Sequence, residues 1–86
     1  MVGYPTQLRV KQEALFRRYG GMMTLSEVSR ELGYRNRVAA KDWLIDKMVP
    51  EVRIGAVSRY ESDVVAKAIV DSRVYPIKKE DGKQYG

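Results

Sequence analysis

The 86-residue chain is long enough for a single domain with a small hydrophobic core. Its formal net charge of +5 favours a polyanionic partner, although charge alone does not identify that partner. Cysteine and histidine are absent, which excludes disulfides, thiol chemistry, Cys/His zinc sites and histidine-based catalysis. We therefore expect a non-enzymatic protein that holds no metal and no cofactor.

The sequence shows no segment that would direct the chain into or across a membrane. No apolar stretch approaches the roughly 18 residues that span a bilayer. The N-terminus lacks the basic and apolar regions of a signal peptide. We expect a cytoplasmic protein with no membrane partner.

The first predicted helix covers residues 5–19, within an N-terminal helical extension that comprises residues 1–22. Pro5 suits the first turn of a helix, and the glycine pair at 20–21 supplies a stop. The apolar residues at helical spacing on its expected core face are Leu8, Leu15, Phe16 and Tyr19.

The second helix is the most strongly specified element of the chain. Thr24 and Glu27 form a T-x-x-E capping box, in which each side chain accepts a hydrogen bond from the backbone N–H of the other residue. Met23 and Val28 can pack as a hydrophobic staple across this cap, and Gly33 suits a left-handed C-cap. The residues on its core face are Leu25, Val28 and Leu32.

The third helix is predicted over residues 37–48. Asn36 is a favoured N-cap, and Pro50 blocks continuation of the helix. Its expected core face contains Ala40, Trp43, Leu44 and Met48.

A short β-hairpin follows the third helix. Residues 52–54 alternate in the manner of a half-buried strand, in which Ile54 packs and Arg53 stays free. Residues 55–57 are short enough for the hairpin loop, and residues 58–60 return as the second strand.

The last predicted helix begins at Ser62, which we expect to be its N-cap. Its core face contains Val64, Val65, Ala68 and Ile69. Residues 75–86 have the composition of a flexible tail, with disorder expected beyond about Ile77.

The order of these elements is that of a winged helix-turn-helix in residues 23–74. The expected fold class is mainly α, with about four helices and a two-stranded β-hairpin as the wing. A short turn makes the second and third helices cross steeply, so that the N-terminal end of the third helix can enter the major groove of DNA. The sequence therefore predicts a protein that binds double-stranded DNA.

The candidate base-contacting residues lie at this end of the third helix. They are Arg35, Asn36, Arg37, Val38 and Lys41. Arginine pairs bidentately with guanine and asparagine with adenine, and an aliphatic side chain can contact a thymine methyl. Residues 33–41 carry three positive charges and no acidic residue, which supports this prediction.

Two further groups are candidates for the flanking contacts. The hairpin contributes Arg53, Ser58, Arg59 and Tyr60, which suit a minor groove or a phosphate edge. Thr24 and Ser26, at the start of the second helix, offer hydroxyls beside free backbone amides, a setting that suits a phosphate. Taken singly, each group is typical of ordinary capping or of a solvated surface. Their order along the chain is what favours DNA binding.

Residues 23–69 resemble the excisionase-type and MerR-type winged-helix DNA-binding domains. The sequence motifs that these families share occur in this chain in the same order, as MTLSEVSRELG, DWL, VPEVRIG and RYESDVV. The turn GYRNR is one residue longer than the usual pattern. We expect no counterpart of the long dimerisation helix and effector domain of MerR regulators, so the resemblance is greatest to small phage or transposon excisionases.

The resemblance implies a helix in the major groove and a wing on the flanking minor groove. By this resemblance, the helix residues that contact the major groove are Asn36, Arg37, Val38 and Lys41. The wing residues are Arg53, Ser58, Arg59 and Tyr60. It also implies an architectural role, in which copies of the protein bind side by side, bend attachment-site DNA and help a recombinase to reverse integration. The expected partners are double-stranded DNA, an integrase or recombinase, and further copies of the chain.

Other classes are compatible with the same residues. A small transcription regulator of this fold would carry the same pattern. A phage packaging subunit also uses a winged helix, and a protein-interaction module could keep the fold without specific DNA recognition. An enzyme is the least expected class, because the acidic residues show no pair with obvious acid–base spacing.

Overall fold

The computed structural model describes residues 3–76, which form four helices and a small antiparallel sheet. The helices are α1 (Tyr4–Tyr19), α2 (Leu25–Leu32), α3 (Arg37–Asp46) and α4 (Ser62–Asp71), and the strands are β1 (Met22–Met23), β2 (Val52–Ile54) and β3 (Val57–Glu61). This confirms the mainly helical architecture with a small hairpin. The disorder predicted beyond Ile77 concerns residues outside the described part. Among residues 3–76, no helix combines the length and the hydropathy needed to cross a bilayer.

The sheet has three strands rather than the predicted two, in the order β1–β3–β2 with both pairs antiparallel. The additional strand, β1, precedes α2 and pairs Met23 with Tyr60. Two residues are too few to show the alternation of a strand, so the sequence pattern does not reveal β1. The turn between β2 and β3 has two residues, one fewer than predicted, and Gly55 adopts the positive φ of 64° that such a turn favours.

Helix α1 lies along α4 and contributes to the same core as the other elements. Leu15 is fully buried in that core with Val28, Leu44 and Val65. The prediction for Phe16 was wrong, because its side chain is 61% exposed. Successive residues are rotated by about 100° around a helix axis. Since Leu15 faces the core, its neighbour Phe16 faces solvent.

Glu31 connects α2 to α1. Its carboxylate accepts hydrogen bonds from Lys11 at 3.1 Å, Arg18 at 2.5 Å and Tyr19 at 2.9 Å. Burial acts to raise the pKa of this carboxyl, but the hydrogen bonds from these three side chains together hold the pKa below its usual value of 4.5. The folded state therefore favours the charged form of Glu31.

This network is expected to make the domain less stable in acid. A carboxyl whose pKa is lowered by folding stabilises the folded state above its unfolded pKa, and that contribution is lost as the pH falls through the folded pKa. Glu31→Gln should unfold at a lower urea concentration than the wild type at neutral pH, and the two midpoints should converge below pH 4.5. Equal midpoints at neutral pH would show that the network does not stabilise the fold.

The predicted caps of α2 and α3 are confirmed. Thr24 and Glu27 form both hydrogen bonds of the capping box. Asn36 Oδ1 accepts from the Ala39 N–H at 2.9 Å. Gly33 has a left-handed conformation with φ of 80°, which glycine adopts without steric cost at a helix C-terminus.

Helix α3 ends at Asp46, two residues before its predicted end. Met48, predicted for the core, is 84% exposed and has φ of 59°. The N–H groups of Met48 and Val49 donate to the carbonyls of Ile45 and Leu44, at 3.0 Å and 2.9 Å, which closes the helix as a Schellman motif. This turn brings Val49 into the core in place of Met48.

Ser62 is the first residue of α4, and the N-cap is Glu61 instead. The Ser62 N–H donates to the Gly21 carbonyl at 2.9 Å, which anchors the start of α4 beside β1. The Ser62 side chain is fully buried, and its hydroxyl has no hydrogen-bond partner among the described residues. A buried hydroxyl without a partner lowers the stability of the folded state.

Ser62→Ala is therefore expected to stabilise the domain by about 1 kcal/mol, because alanine removes the unpartnered hydroxyl and has a higher helix propensity. Urea unfolding followed by circular dichroism measures this change. Ser72→Ala is a suitable control, since the Ser72 hydroxyl donates to the Ala68 carbonyl at 2.7 Å and its removal should give no such gain. Loss of stability in Ser62→Ala would show that the hydroxyl has a partner in solution, such as a buried water.

Candidate nucleic-acid interface

The turn between α2 and α3 is held by Ser29. The buried Ser29 hydroxyl lies 3.2 Å from the carbonyl oxygens of both Tyr34 and Asn36. A hydroxyl has a single proton, so it donates to one of these carbonyls at a time. The two contacts fix the path of the chain through the turn and so determine where residues 35–38 lie.

An open groove of about 670 Å³ lies beside this turn. Three arginines line it, Arg30, Arg35 and Arg37, and none of them pairs with an acidic side chain of residues 3–76. The groove also contains Ser26, Asn36 and Val38, and none of the described residues that line it is acidic. Three guanidinium groups without a counter-charge make this groove suitable for a polyanion.

Four of the five predicted helix contacts meet at this groove. They are Arg35, Asn36, Arg37 and Val38, all of them exposed. Asn36 Oδ1 is engaged in capping α3, so its side-chain NH₂ is the part that can contact a ligand. The fifth residue, Lys41, lies one turn further along α3 and does not line the groove.

Arg30 also lines the groove, although it was not among the predicted contacts. It lies on α2, two positions after the fully buried Val28. Two positions correspond to about 200° around a helix, so Arg30 faces solvent beside the turn. This spacing could have identified Arg30 as a solvent-facing residue of α2. Once the core residues of a helix are known, its opposite face can be read from the sequence.

Lys41, Arg53 and Ser58 converge on an acidic residue that was also missed, Glu51. The carboxylate lies 3.6 Å from Lys41 Nζ and 3.1 Å from Arg53 Nη2, and it accepts a hydrogen bond from the Ser58 hydroxyl. That hydrogen bond lowers the pKa of Glu51 most, and the charges of Lys41 and Arg53 lower it further against the opposing effect of desolvation. Glu51 therefore places a negative charge among three predicted DNA contacts.

The other hairpin residues differ in exposure. Arg59 is half-buried, and its guanidinium donates to the Ser58 carbonyl at 3.2 Å. Tyr60 is 2% exposed because it faces the core where β3 pairs with β1. It cannot reach an external ligand and is not part of the candidate interface. Ile54, predicted to pack, is 56% exposed, because the end of the hairpin extends beyond the core.

The two predicted phosphate contacts differ in their surroundings. Thr24 Oγ1 accepts from the Glu27 N–H at 3.0 Å, and the Thr24 N–H donates to the Glu27 carboxylate at 2.9 Å. This carboxylate occupies the helix N-terminus and repels a second anion. Thr24 therefore serves as a cap. Ser26 is exposed at the arginine-lined groove, where its hydroxyl can contact a phosphate.

Neither a metal centre nor a relative provides a further guide to function. Residues 3–76 contain no group of three or more metal-ligating side chains placed to hold an ion. No protein-family model matches the chain, and no curated protein or solved structure matches it significantly. Function is therefore inferred from the groove and the hairpin themselves.

Proposed function

We propose that this chain binds double-stranded DNA as a winged helix-turn-helix, with the N-terminal end of α3 in the major groove and the β2–β3 hairpin as a wing beside the minor groove. The observation that carries the proposal is the groove at the α2–α3 turn, whose three arginines have no acidic partner among the described residues. The order of elements, two helices with a short turn and then a hairpin, supports the same mode of binding.

The exposed residues at the start of α3 have the chemistry for base contacts. Arg35 and Arg37 can each donate two hydrogen bonds to guanine O6 and N7. The Asn36 NH₂ can donate to a base acceptor, and Val38 offers an aliphatic surface to a thymine methyl. Such contacts would give sequence preference.

Helix α2 then lies across the phosphate backbone. Arg30 and Ser26 are the residues of α2 at the groove, and both suit phosphate oxygens. Asp42 and Asp46 are exposed further along α3, where their charge repels the backbone. The footprint of the protein on DNA is therefore small.

The biological role that fits best is that of an accessory factor in site-specific recombination. The resemblance of residues 23–69 to excisionase-type domains supports this role. Copies of the chain would bind side by side on nucleoid DNA in the cytoplasm, bend the attachment site and act with an integrase or recombinase.

A small transcription regulator is the closest alternative, since the same resemblance covers it. The two roles differ in what they require of the DNA. An architectural factor bends its site, and circular-permutation gel mobility measures that bend. A straight complex would contradict the recombination role, whereas a bent complex is what that role requires.

Exposed Phe16 favours a different class of function, a protein-interaction or phage packaging module without specific DNA recognition. Phe16 lies in a shallow groove with Gln12, Arg17 and Asp63, on α1 and α4 rather than at the α2–α3 turn. An exposed aromatic side chain is typical of protein interfaces. A protein-interaction module predicts no binding to duplex DNA, and a packaging module predicts no sequence preference.

Fluorescence anisotropy with a labelled generic duplex over a salt series tests the proposal. We expect log affinity to fall with log salt concentration at a slope of about −3 to −4, which corresponds to about three or four phosphate contacts. Absence of binding at low salt would refute DNA binding and favour the protein-interaction module.

A further inference from the structure

Glu51 lies directly before β2, where it connects α3 to both strands of the hairpin. Oε1 is 3.6 Å from Lys41 Nζ, and Oε2 is 3.1 Å from Arg53 Nη2 and accepts from the Ser58 hydroxyl. Arg53 and Ser58 are direct cross-strand partners, so their side chains share one face of the hairpin. An ammonium, a guanidinium and a hydroxyl therefore surround a single carboxylate.

This set of donors is the set that DNA-binding proteins direct at backbone phosphates. The side chains of Lys41 and Arg53 are 42% and 67% exposed, whereas that of Glu51 is 29% exposed. The cations can thus be approached from solvent, with the carboxylate between them. We infer that Lys41, Arg53 and Ser58 form a binding site for a DNA backbone phosphate, and that Glu51 occupies this site in the free protein.

The inference rests on the proposed function, and it assigns Glu51 a role in specificity. Solvent-accessible ion pairs contribute little net free energy, so the carboxylate can turn toward water when a phosphate approaches. Its charge still opposes the phosphate and weakens the backbone contribution, which is the same for every DNA sequence. Glu51 therefore limits non-specific binding and leaves the base contacts of α3 to decide the site.

Glu51→Gln tests this role, because glutamine keeps the size of the side chain and its ability to accept from Ser58 but removes the charge. We expect the variant to bind a generic duplex more tightly than the wild type. The slope of log affinity against log salt should steepen by about 1, since the one added phosphate contact contributes about 0.9. Circular dichroism confirms that the variant is folded.

Glu13→Gln is the matched control. Glu13 is an exposed acidic residue on α1 and forms no ion pair within residues 3–76. Glu13→Gln changes the net charge by the same amount as Glu51→Gln, but at a position away from the hairpin. The slope of log affinity against log salt should therefore stay at the wild-type value. An equal gain in both variants would show that net charge alone is responsible and would overturn the inference.

Inorganic phosphate provides a test that does not depend on DNA. We expect phosphate to shift the backbone amide NMR signals of Lys41, Arg53 and Ser58 in Glu51→Ala, where the site is vacated. The same phosphate concentration should leave these signals unchanged in the wild type. Unchanged signals in both proteins would contradict the phosphate site.

The two experiments separate failure of the inference from failure of the proposed function. If the wild type binds duplex DNA and Glu51→Gln binds no better, the inference is wrong and the proposed function stands. If neither protein binds duplex DNA but phosphate shifts the signals of Glu51→Ala, the anion site stands and the proposed function is wrong. If neither DNA binding nor phosphate shifts occur, both are wrong.

Discussion

Leu15→Ala is expected to lower the free energy of unfolding by about 2–5 kcal/mol, the usual cost of truncating a large buried aliphatic side chain. Leu15 is fully buried and packs in one core with residues of α2, α3 and α4. A loss of this size is a large fraction of the roughly 5–15 kcal/mol that stabilises a small domain. Urea unfolding followed by circular dichroism measures the change.

Phe16→Ala provides the control on the same helix. It removes a larger apolar side chain than Leu15→Ala does, but Phe16 is mostly exposed. We expect a loss of less than about 1 kcal/mol, because little buried surface disappears. Similar losses in the two variants would mean that α1 does not pack in this orientation. A negligible loss in Leu15→Ala would mean that α1 is peripheral to the core.

Arg37→Ala is expected to weaken binding to a preferred duplex by about 1–3 kcal/mol, or roughly 5- to 150-fold, if Arg37 makes a bidentate contact with guanine. Arg37 is exposed at the arginine-lined groove and has no acidic partner among residues 3–76. Selection from a random pool of duplexes supplies the preferred sequence, and anisotropy then compares it with a generic duplex. The loss should be larger on the preferred duplex.

Arg17→Ala is the control, because it removes the same charge at a position away from the arginine-lined groove. Arg17 lies on α1 beside Phe16. We expect this variant to bind both duplexes almost as tightly as the wild type. A loss in Arg37→Ala that is equal on both duplexes would assign Arg37 to the phosphate backbone rather than to a base. Equal losses in Arg37→Ala and Arg17→Ala would place the binding surface elsewhere.

Much of the local structure could be predicted because the interactions that decide it join residues close in sequence. The capping box of Thr24 and Glu27 and the cap at Asn36 each span three positions, so residue type and spacing are sufficient. Gly33 ends α2 for an equally local reason, its left-handed backbone. The candidate site was predictable to the same extent, because Arg35 and Arg37 directly flank one of these caps.

Periodicity and short-range hydrogen bonds specify the four helices, the caps of α2 and α3 and the basic turn, so these features can be read from the sequence alone. Which apolar residues are buried and which charges meet depends on how these elements pack together. Leu15 rather than Phe16 faces the core because of how α1 lies on α4, and Tyr60 is buried because β3 pairs with the unpredicted β1. Glu51 meets Lys41 only because the chain turns back after the end of α3. These outcomes depend on packing between elements distant in sequence, which local patterns do not encode.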